Sequence, residues 1–295
     1  MLNTHIRFDW ALKKLLLNEA NHIILEGFLS ELLNQKLTIK ILLKSKNNQQ
    51  EQEEKVNQIN LLAETEKEEL IFIEVQNNSQ LDYFHRMLYG ASKLAVKYLD
   101  KGQKYGEIKK IYSVNIVYFN LGIGDDYIYH RCGDFVGTNI GDILQPLKTQ
   151  EVTFKIKKVA DIFPEYYLLK VNNFNDVVQN SLDEWLYFLK NSCIKEEFSA
   201  KGMMQAKEAL RVSNLSREEQ AAYSLYMKNK SYEATMLSTQ EIETQCQLEQ
   251  AETRGMKQGK QEEKRFIARS CKQQGLNIET IIKITQLSRE EIESL

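Results

Sequence analysis

Apolar residues near the start of the chain recur at helical spacing and then give way to short apolar runs. Between Asp9 and Leu33 they fall at intervals of three and four residues, which predicts an amphipathic helix or a helix pair broken around residues 18–21. The stretch 36–44 is rich in Ile and Leu and predicts a strand, and the polar stretch 46–55 predicts a loop. The chain therefore opens with helical structure followed by a first strand.

Two further apolar runs indicate a hairpin. Residues 58–63 and 70–76 are separated by the charged stretch ETEKEE, which is typical of antiparallel neighbours. Helical spacing returns over 83–101, with Gly102 placed to end the helix, and 111–119 predicts another buried strand. The order of helix, three strands, helix and strand favours an α/β fold in which helices flank a mixed sheet.

The second half of the chain divides into a core portion and a polar extension. Residues 152–159 and 166–171 are candidates to extend the sheet, and 181–191 predicts an amphipathic helix. We expect the core to close near this point. Residues 1–195 would then form one domain, and residues 196–295 a helical C-terminal region.

The C-terminal region is polar and ends in a predicted helical hairpin. Gln, Glu and Lys dominate residues 238–264, which predicts an exposed helix or a flexible arm. The last twenty residues hold two short helix patterns, and Ser288 and Glu291 form a capping box at the second. The hairpin resembles half of a helix-turn-helix, but no third helix follows, so we favour a packing element or a homo-oligomer contact.

Composition narrows the class of protein. Hydrophobic residues make up 42% of the 295, enough for a substantial core, and the net charge of −2 requires that any nucleic-acid contact come from a local basic patch. The four cysteines form no close pair, which fits neither a zinc site nor a disulfide framework. No apolar run reaches the length of a signal peptide or membrane span. We therefore expect a cytoplasmic protein without membrane contact.

Oxygen-bearing side chains cluster in the predicted hairpin. Asn60 and Glu74 lie equally far from a turn centred near Lys67, so a symmetric register places them opposite one another, with Cβ atoms roughly 5 Å apart. Gln76 shares the strand face of Glu74. A carboxylate inside the apolar run LIFIEVQ needs a partner, which makes the cluster a candidate site for a hard cation. The alternative is a glutamate at the end of an edge strand, facing solvent.

The helix after this hairpin carries basic residues at regular spacing. Arg86, Lys93, Lys97 and Lys101 recur at intervals of seven, four and four residues and form a stripe that Lys104 would extend. Phosphate oxygens of DNA are the expected partners of such a stripe. The alternative is a solvated helix face balanced by nearby acids.

Five segments, in order, carry a resemblance to one known family. DWALK (9–13) is similar to its D-x-x-F-K opening, with Leu in place of the aromatic residue, and IEVQ (73–76) matches its I-E-x-Q segment most sharply. YFHRMLY (83–89), LDEWLYFLKN (182–191) and the closing segment from 275 to 295 follow. The chain resembles the Rpn family of recombination-promoting nucleases, also described as transposases, within the PD-(D/E)XK nuclease superfamily.

The resemblance implies a PD-(D/E)XK core with a helical C-terminal extension and a Mg2+ site, for which Mn2+ is an alternative. In the family an aspartate stands in the place of Asn60 and binds the metal together with Glu74, and many relatives have a lysine at Gln76. Asp9 and Glu26 are the candidates for an additional acidic contact. Asn60 departs from the pattern, since a neutral amide stands where a charge is expected.

The implied reaction is endonucleolytic hydrolysis of DNA. Asn60 then marks either a natural variant with impaired cleavage or a substitution that traps an inactive protein. The main alternative is a catalytically inactive DNA-binding or regulatory protein that keeps the nuclease fold. A scaffold whose C-terminal helices mediate self-association is compatible with either.

Overall fold

The computed structural model describes residues 5–14, 21–44, 58–99 and 104–295, and every structural statement below concerns these residues. Helices and strands are interspersed along the first two thirds of the chain, and only helices follow among the described residues. The elements are α1 (Phe8–Lys14), α2 (His22–Leu32), β1 (Ile39–Lys44), β2 (Gln58–Thr65), β3 (Leu70–Gln76), α3 (Tyr83–Lys97), β4 (Ile111–Val117), β5 (Ile128–Arg131), α4 (Lys148–Phe154), β6 (Glu165–Lys170), α5 (Ser181–Asn191), α6 (Met203–Ala209), α7 (Arg217–Gln273), α8 (Ile278–Thr285) and α9 (Arg289–Glu293).

The described strands form one mixed sheet in the order β1-β2-β3-β4-β6-β5. β1, β2 and β3 are antiparallel neighbours, β3, β4 and β6 run parallel, and β5 lies antiparallel to β6 at the edge. Parallel neighbours need a crossover connection, and α3 supplies the one from β3 to β4. The predicted α/β fold with a mixed sheet between helices is confirmed.

The two faces of the sheet bury different sets of apolar side chains. On one face, Ile71 and Ile73 of β3 belong to the main hydrophobic cluster, which includes Phe28 of α2 and Trp185 of α5. On the other face, Leu70 packs with Ala91 and Leu94 of α3. Because side chains alternate along a strand, residues in step with Leu70 on β3 face α3.

Several sequence predictions need adjustment. The stretch 152–159 is not a strand: α4 occupies its first part, and the 3-10 helix Val159–Ile162 begins at its end. Strand β5 was not predicted at all. The loop 46–55 and Gly102 lie outside the described residues. The polar arm 238–264 is helical throughout, in agreement with the first of its two predicted forms, and lies within α7.

The chain divides into two compact units, Met1–Gln220 and Ala221–Leu295. Residues 196–220, which we expected to belong to the C-terminal region, group with the first unit, because α6 packs against α2. In the second unit the capping box forms as predicted, with reciprocal hydrogen bonds between Ser288 and Glu291. None of the described helices combines the length and hydropathy needed to cross a membrane.

Candidate functional site

The predicted register of the hairpin is confirmed, since Asn60 of β2 lies opposite Glu74 of β3. Glu74 in turn pairs with Asn115 of β4, Asn115 with Leu168 of β6, and Leu168 with Tyr129 of β5. We call these five positions the Glu74 row. The row crosses the sheet on the face that α3 covers, because Glu74 alternates in step with Leu70. The side chain of Asn60 itself lies outside the described residues.

Glu74 is buried beneath α3 and pairs with Arg86. The residue is 1% exposed, and its Oε1 forms an ion pair with the guanidinium of Arg86, which also donates a hydrogen bond of 2.9 Å to Gln80 Oε1. Burial raises the pKa of the Glu74 carboxyl, while the charge and hydrogen bond of Arg86 act to lower it. Burial prevails, so the site holds its single carboxylate at an energetic cost that a cation would offset.

Three other buried side-chain oxygens lie on or beside this face. Gln76 Oε1, Asn115 Oδ1 and Tyr83 Oη have no hydrogen-bond partner among the described residues. Burial, followed by the charge of Glu74, raises the pKa of Tyr83 far above its ordinary value, which also puts Tyr83 close to that carboxylate. Leaving such a group unpaired costs about 1–3 kcal/mol, so oxygens in this arrangement call for water or a cation.

Hydrogen bonds from the amide nitrogens of Asn115 and Gln76 fix the orientation of these two side chains. Asn115 Nδ2 donates to Ser113 Oγ at 3.0 Å and to the Tyr167 carbonyl at 3.3 Å, and Gln76 Nε2 donates to the Asn78 carbonyl at 3.1 Å. These bonds hold the amide nitrogens and leave the oxygens unengaged. The amide oxygens of Gln76 and Asn115 are therefore held on the Glu74 face, where each could accept a hydrogen bond or bind a cation.

Sequence reasoning missed Asn115 and Tyr83. The signal for Asn115 was present, because an amide in the centre of the buried strand IYSVNIV must find partners. Tyr83 begins the segment YFHRMLY, which contributes to the family resemblance, but nothing in that pattern linked it to Glu74. Its relation to Glu74 arises only when α3 is laid across the sheet.

The two first-helix acids are placed differently. Asp9 is fully buried at the end of β3, where its carboxylate accepts from Arg7 at 3.2 Å and from Asn77 Nδ2 at 3.3 Å. Glu26 Oε1 accepts from the backbone N–H of Ile39 at 2.8 Å. Ile39 pairs with Thr65, five residues along β2 from Asn60, or about 17 Å. The structure thus brings Asp9 next to the residue after Gln76 and leaves Glu26 far from the row.

The predicted basic stripe separates into two parts. Arg86 points to the sheet and Glu74, whereas Lys93 and Lys97 are exposed, with their ammonium groups over the rings of Tyr89 and Tyr98. Lys104 is exposed, and Lys101 lies outside the described residues. Arg86 is therefore a site residue, and only the lysines are presented to solvent.

Acidic residues are scarce at this site. No group of three or more His, Cys, Asp or Glu side chains within the described residues is arranged to hold a metal ion. Glu74 is the single carboxylate of the row, and the remaining oxygens are amides and a phenol. The position paired with Glu74 on β2 carries Asn60, a neutral amide.

The sequence of the chain matches the model of one known protein family. The model of the PD-(D/E)XK nuclease family transposases matches residues 6–240, most of the chain. The chain belongs to this family. Its members generally use divalent metals, and their class indicates a nuclease acting on DNA. The match includes the Glu74 row and ends before the terminal helical hairpin, and no curated protein and no solved structure matches the chain.

Proposed function

We propose that the chain is a metal-dependent DNA endonuclease of the recombination-promoting type whose activity is weakened by Asn60. The observation that carries the proposal is the position of Glu74. It is a buried carboxylate on the hairpin strand, opposite Asn60 and beside buried oxygens without partners among the described residues. Such a site suits a cation and the phosphate of a substrate.

The donor set fits a hard divalent cation, Mg2+ or Mn2+. Such ions prefer carboxylate, amide and water oxygens. Glu74 and Asn60 would hold the ion, and the oxygens of Gln76 and Asn115 lie on the same face. A bound ion of this kind lowers the pKa of water and stabilises negative charge on a phosphate. An amide at position 60 contributes no formal charge, so affinity would be lower than with an aspartate.

The other residues would act on the substrate and on the site's charge. Arg86 neutralises Glu74 when no cation is present, so cation binding would have to displace or share that partner. Lys93 and Lys97 are exposed on α3 and would contact DNA phosphates. Asp9 would hold Arg7 and Asn77 at the end of β3 and so fix the strand beside Gln76.

A DNA-binding or regulatory protein without cleavage is the second candidate. Two observations favour it: Asn60 removes a charge from the site, and the guanidinium of Arg86 supplies the positive charge that a metal would bring. In that case Lys93 and Lys97 would keep their role and Glu74 would be structural. The two candidates differ in metal-dependent cleavage and agree on DNA binding.

Nicking of supercoiled plasmid distinguishes them. We expect slow nicking by the unaltered chain with Mg2+ or Mn2+, none with EDTA, and loss of nicking in Glu74→Gln. Glu64→Gln is the matched control, because Glu64 is another sheet glutamate with basic partners, Lys40 and Lys109. Nicking that persists in Glu74→Gln at the control's rate would show that another site is responsible. Absence of nicking with retained DNA binding would favour the second candidate.

A further inference from the structure

A groove of about 560 Å³ lies between α3 and the edge of the sheet. Phe84 and Leu88 of α3 form one wall, and both are more than half exposed, at 51% and 59%. Strands β5 and β6 form the other wall. We call it the aromatic groove; its lining includes Phe84, Leu88, Tyr129, Arg131, Tyr166 and Leu168.

The groove lies on the same face of the sheet as the candidate active site. Leu168 and Tyr129 are members of the Glu74 row, two and three strands away from Glu74. Neighbouring strands are about 4.8 Å apart, so these positions lie about 10 and 14 Å from Glu74 along the row. That distance corresponds to one or two nucleotides of an extended DNA strand. A strand whose phosphate is held at the Glu74 site would span this separation with its next one or two nucleotides.

The lining has the chemistry of a nucleobase site. Phe84, Tyr129 and Tyr166 supply aromatic rings, and the guanidinium of Arg131 lies 5.7 Å from the ring centre of Tyr166. Lys170 adds positive charge behind Tyr129, with its ammonium 5.7 Å from that ring. No acidic residue is among the described residues that line the groove. Aromatic faces with basic groups bind single-stranded nucleic acid through stacking and phosphate contacts.

We propose that the aromatic groove binds an unpaired base of the DNA strand whose phosphate lies at Glu74. The proposal rests on the proposed function for the identity of the strand and adds the substrate class: DNA with a single-stranded or unpaired segment beside the cleavage position. Bases in a closed duplex stack on each other, so only an unpaired or extruded base presents its face to a side chain. The aromatic and apolar walls match the base, and the guanidinium of Arg131, which lines the groove, matches its phosphate.

The test measures binding without cleavage, in EDTA, with the full-length chain. Two fluorescein-labelled hairpin DNAs carry the same number of phosphates, one fully paired and one with a short single-stranded extension. A second copy of the latter carries 2-aminopurine in the extension, whose fluorescence falls when the base stacks. The variants are Phe84→Ala and Arg131→Ala, with Phe84→Tyr to restore the ring. Tyr105→Ala and Arg254→Ala are controls, because both residues are exposed and neither lines the groove.

We expect the unaltered chain to prefer the extended DNA and to quench 2-aminopurine. Phe84→Ala should weaken binding of the extended DNA roughly 5- to 100-fold, the range for loss of one stacked base, and leave the paired DNA unchanged. Phe84→Tyr should restore quenching, and the controls should behave as the unaltered chain does. Equal binding of both DNAs, or quenching that Phe84→Ala leaves intact, would overturn the proposal. So would a dimer in light scattering that Phe84→Ala abolishes, which would assign the groove to a second copy.

Failure of the groove and failure of the nuclease proposal give different results. If plasmid nicking depends on Glu74 but quenching is absent, the endonuclease stands and the groove proposal falls. If quenching depends on Phe84 but no metal supports nicking, the groove stands as a DNA site and the chain is a binding protein.

Discussion

Arg86 of α3 reaches the sheet and pairs with Glu74 of β3, so the helix after the hairpin supplies the counter-charge for the hairpin's buried carboxylate. The side chain of Glu74 is 2% exposed and that of Arg86 18% exposed, so water screens the pair little. Removing one partner of such a pair is costly because the other stays buried and charged. The pair therefore links the stability of the fold to the charge of the candidate site.

Arg86→Ala should lower the free energy of unfolding by about 3–5 kcal/mol at pH 7. The pKa of Glu74 is already raised in the folded chain, and without Arg86 it should rise further. When a carboxyl has a higher pKa in the folded than in the unfolded state, its protonated form stabilises the fold at pH values below the unfolded-state pKa. This contribution to the free energy of unfolding is lost as the pH rises through the folded-state pKa. The loss in Arg86→Ala should consequently be smaller at pH 5 than at pH 7, as measured by urea unfolding.

The double variant Arg86→Ala with Glu74→Gln provides the control for this prediction. Without a buried carboxylate, Arg86→Ala should lower the free energy of unfolding by less. The pH dependence of that loss between pH 5 and 7 should largely disappear. Equal destabilisation of the single and double variants at both pH values would contradict the pairing described here.

The exposed lysines of α3 should determine part of the salt dependence of DNA binding. Replacing Lys93 and Lys97 with Ala should weaken binding and reduce the slope of log affinity against log salt by up to about two, because fewer counterions are released. Arg86 was part of the predicted stripe, but its partner is Glu74, so it should contribute less to this slope. Fluorescence anisotropy at several salt concentrations measures the effect.

A matched pair of exposed lysines outside α3 tests whether the effect is local. Lys148→Ala with Lys157→Ala removes the same charge elsewhere on the first unit. If this pair reduces the slope as much as Lys93 and Lys97 do, the α3 lysines are only a solvated face.

Close packing of α2 against the segment before α6 predicts a strong effect at Gly27. A β-carbon there would overlap the carbonyl oxygen of Lys201 and crowd Gly202. Gly27→Ala should destabilise the chain by about 1–3 kcal/mol or more, since backbone has to move. Gly133→Ala is the control, because a β-carbon at Gly133 would meet no atom within 4 Å and its φ is ordinary. Similar melting temperatures for the two variants would contradict this packing.

Removal of residues 236–295 should leave a folded first unit. Among the described residues, the main hydrophobic cluster ends at Leu210, and the terminal helices form a separate cluster around Ala268 and Ile281. The truncated chain should therefore unfold cooperatively, close to the melting temperature of the full chain, in a calorimetric scan. Broad, non-cooperative melting would show that the C-terminal region is needed for the core.

Periodicity predicted most of the strands and the order of the first elements along the chain. The bounds of β3 and α5 agree with the apolar runs, and the symmetric turn placed Asn60 opposite Glu74, because an antiparallel register follows from the turn. Strand β5 was missed since it has four residues and half-exposed side chains, a pattern too short to distinguish from a loop. A short edge strand such as β5 forms through its hydrogen bonds to the neighbouring strand and has little apolar pattern of its own.

The candidate site was predicted in part. Glu74 and Gln76 share a face as alternation requires, and the family resemblance supplied the expectation at Asn60. Asn115 and Tyr83 join them through a parallel pairing and a helix crossing, which depend on tertiary packing rather than local pattern. Glu26 was chosen for its charge and its place on the first helical segment. Its carboxylate binds the backbone of β1 instead.

Restoring a carboxylate at position 60 is the sharpest test of the proposed metal site. The hairpin register pairs position 60 with Glu74, and two carboxylates at paired positions would raise affinity for a bridging cation. Three proteins are compared in supercoiled-plasmid nicking, each with Mg2+ and with EDTA: the unaltered chain, Asn60→Asp, and Asn60→Asp with Glu74→Ala. We expect Asn60→Asp to nick faster than the unaltered chain with Mg2+ but not with EDTA, and the double variant to lose the gain. The proposed metal site would be contradicted if Asn60→Asp were no more active than the unaltered chain. It would also be contradicted if the double variant kept the gain.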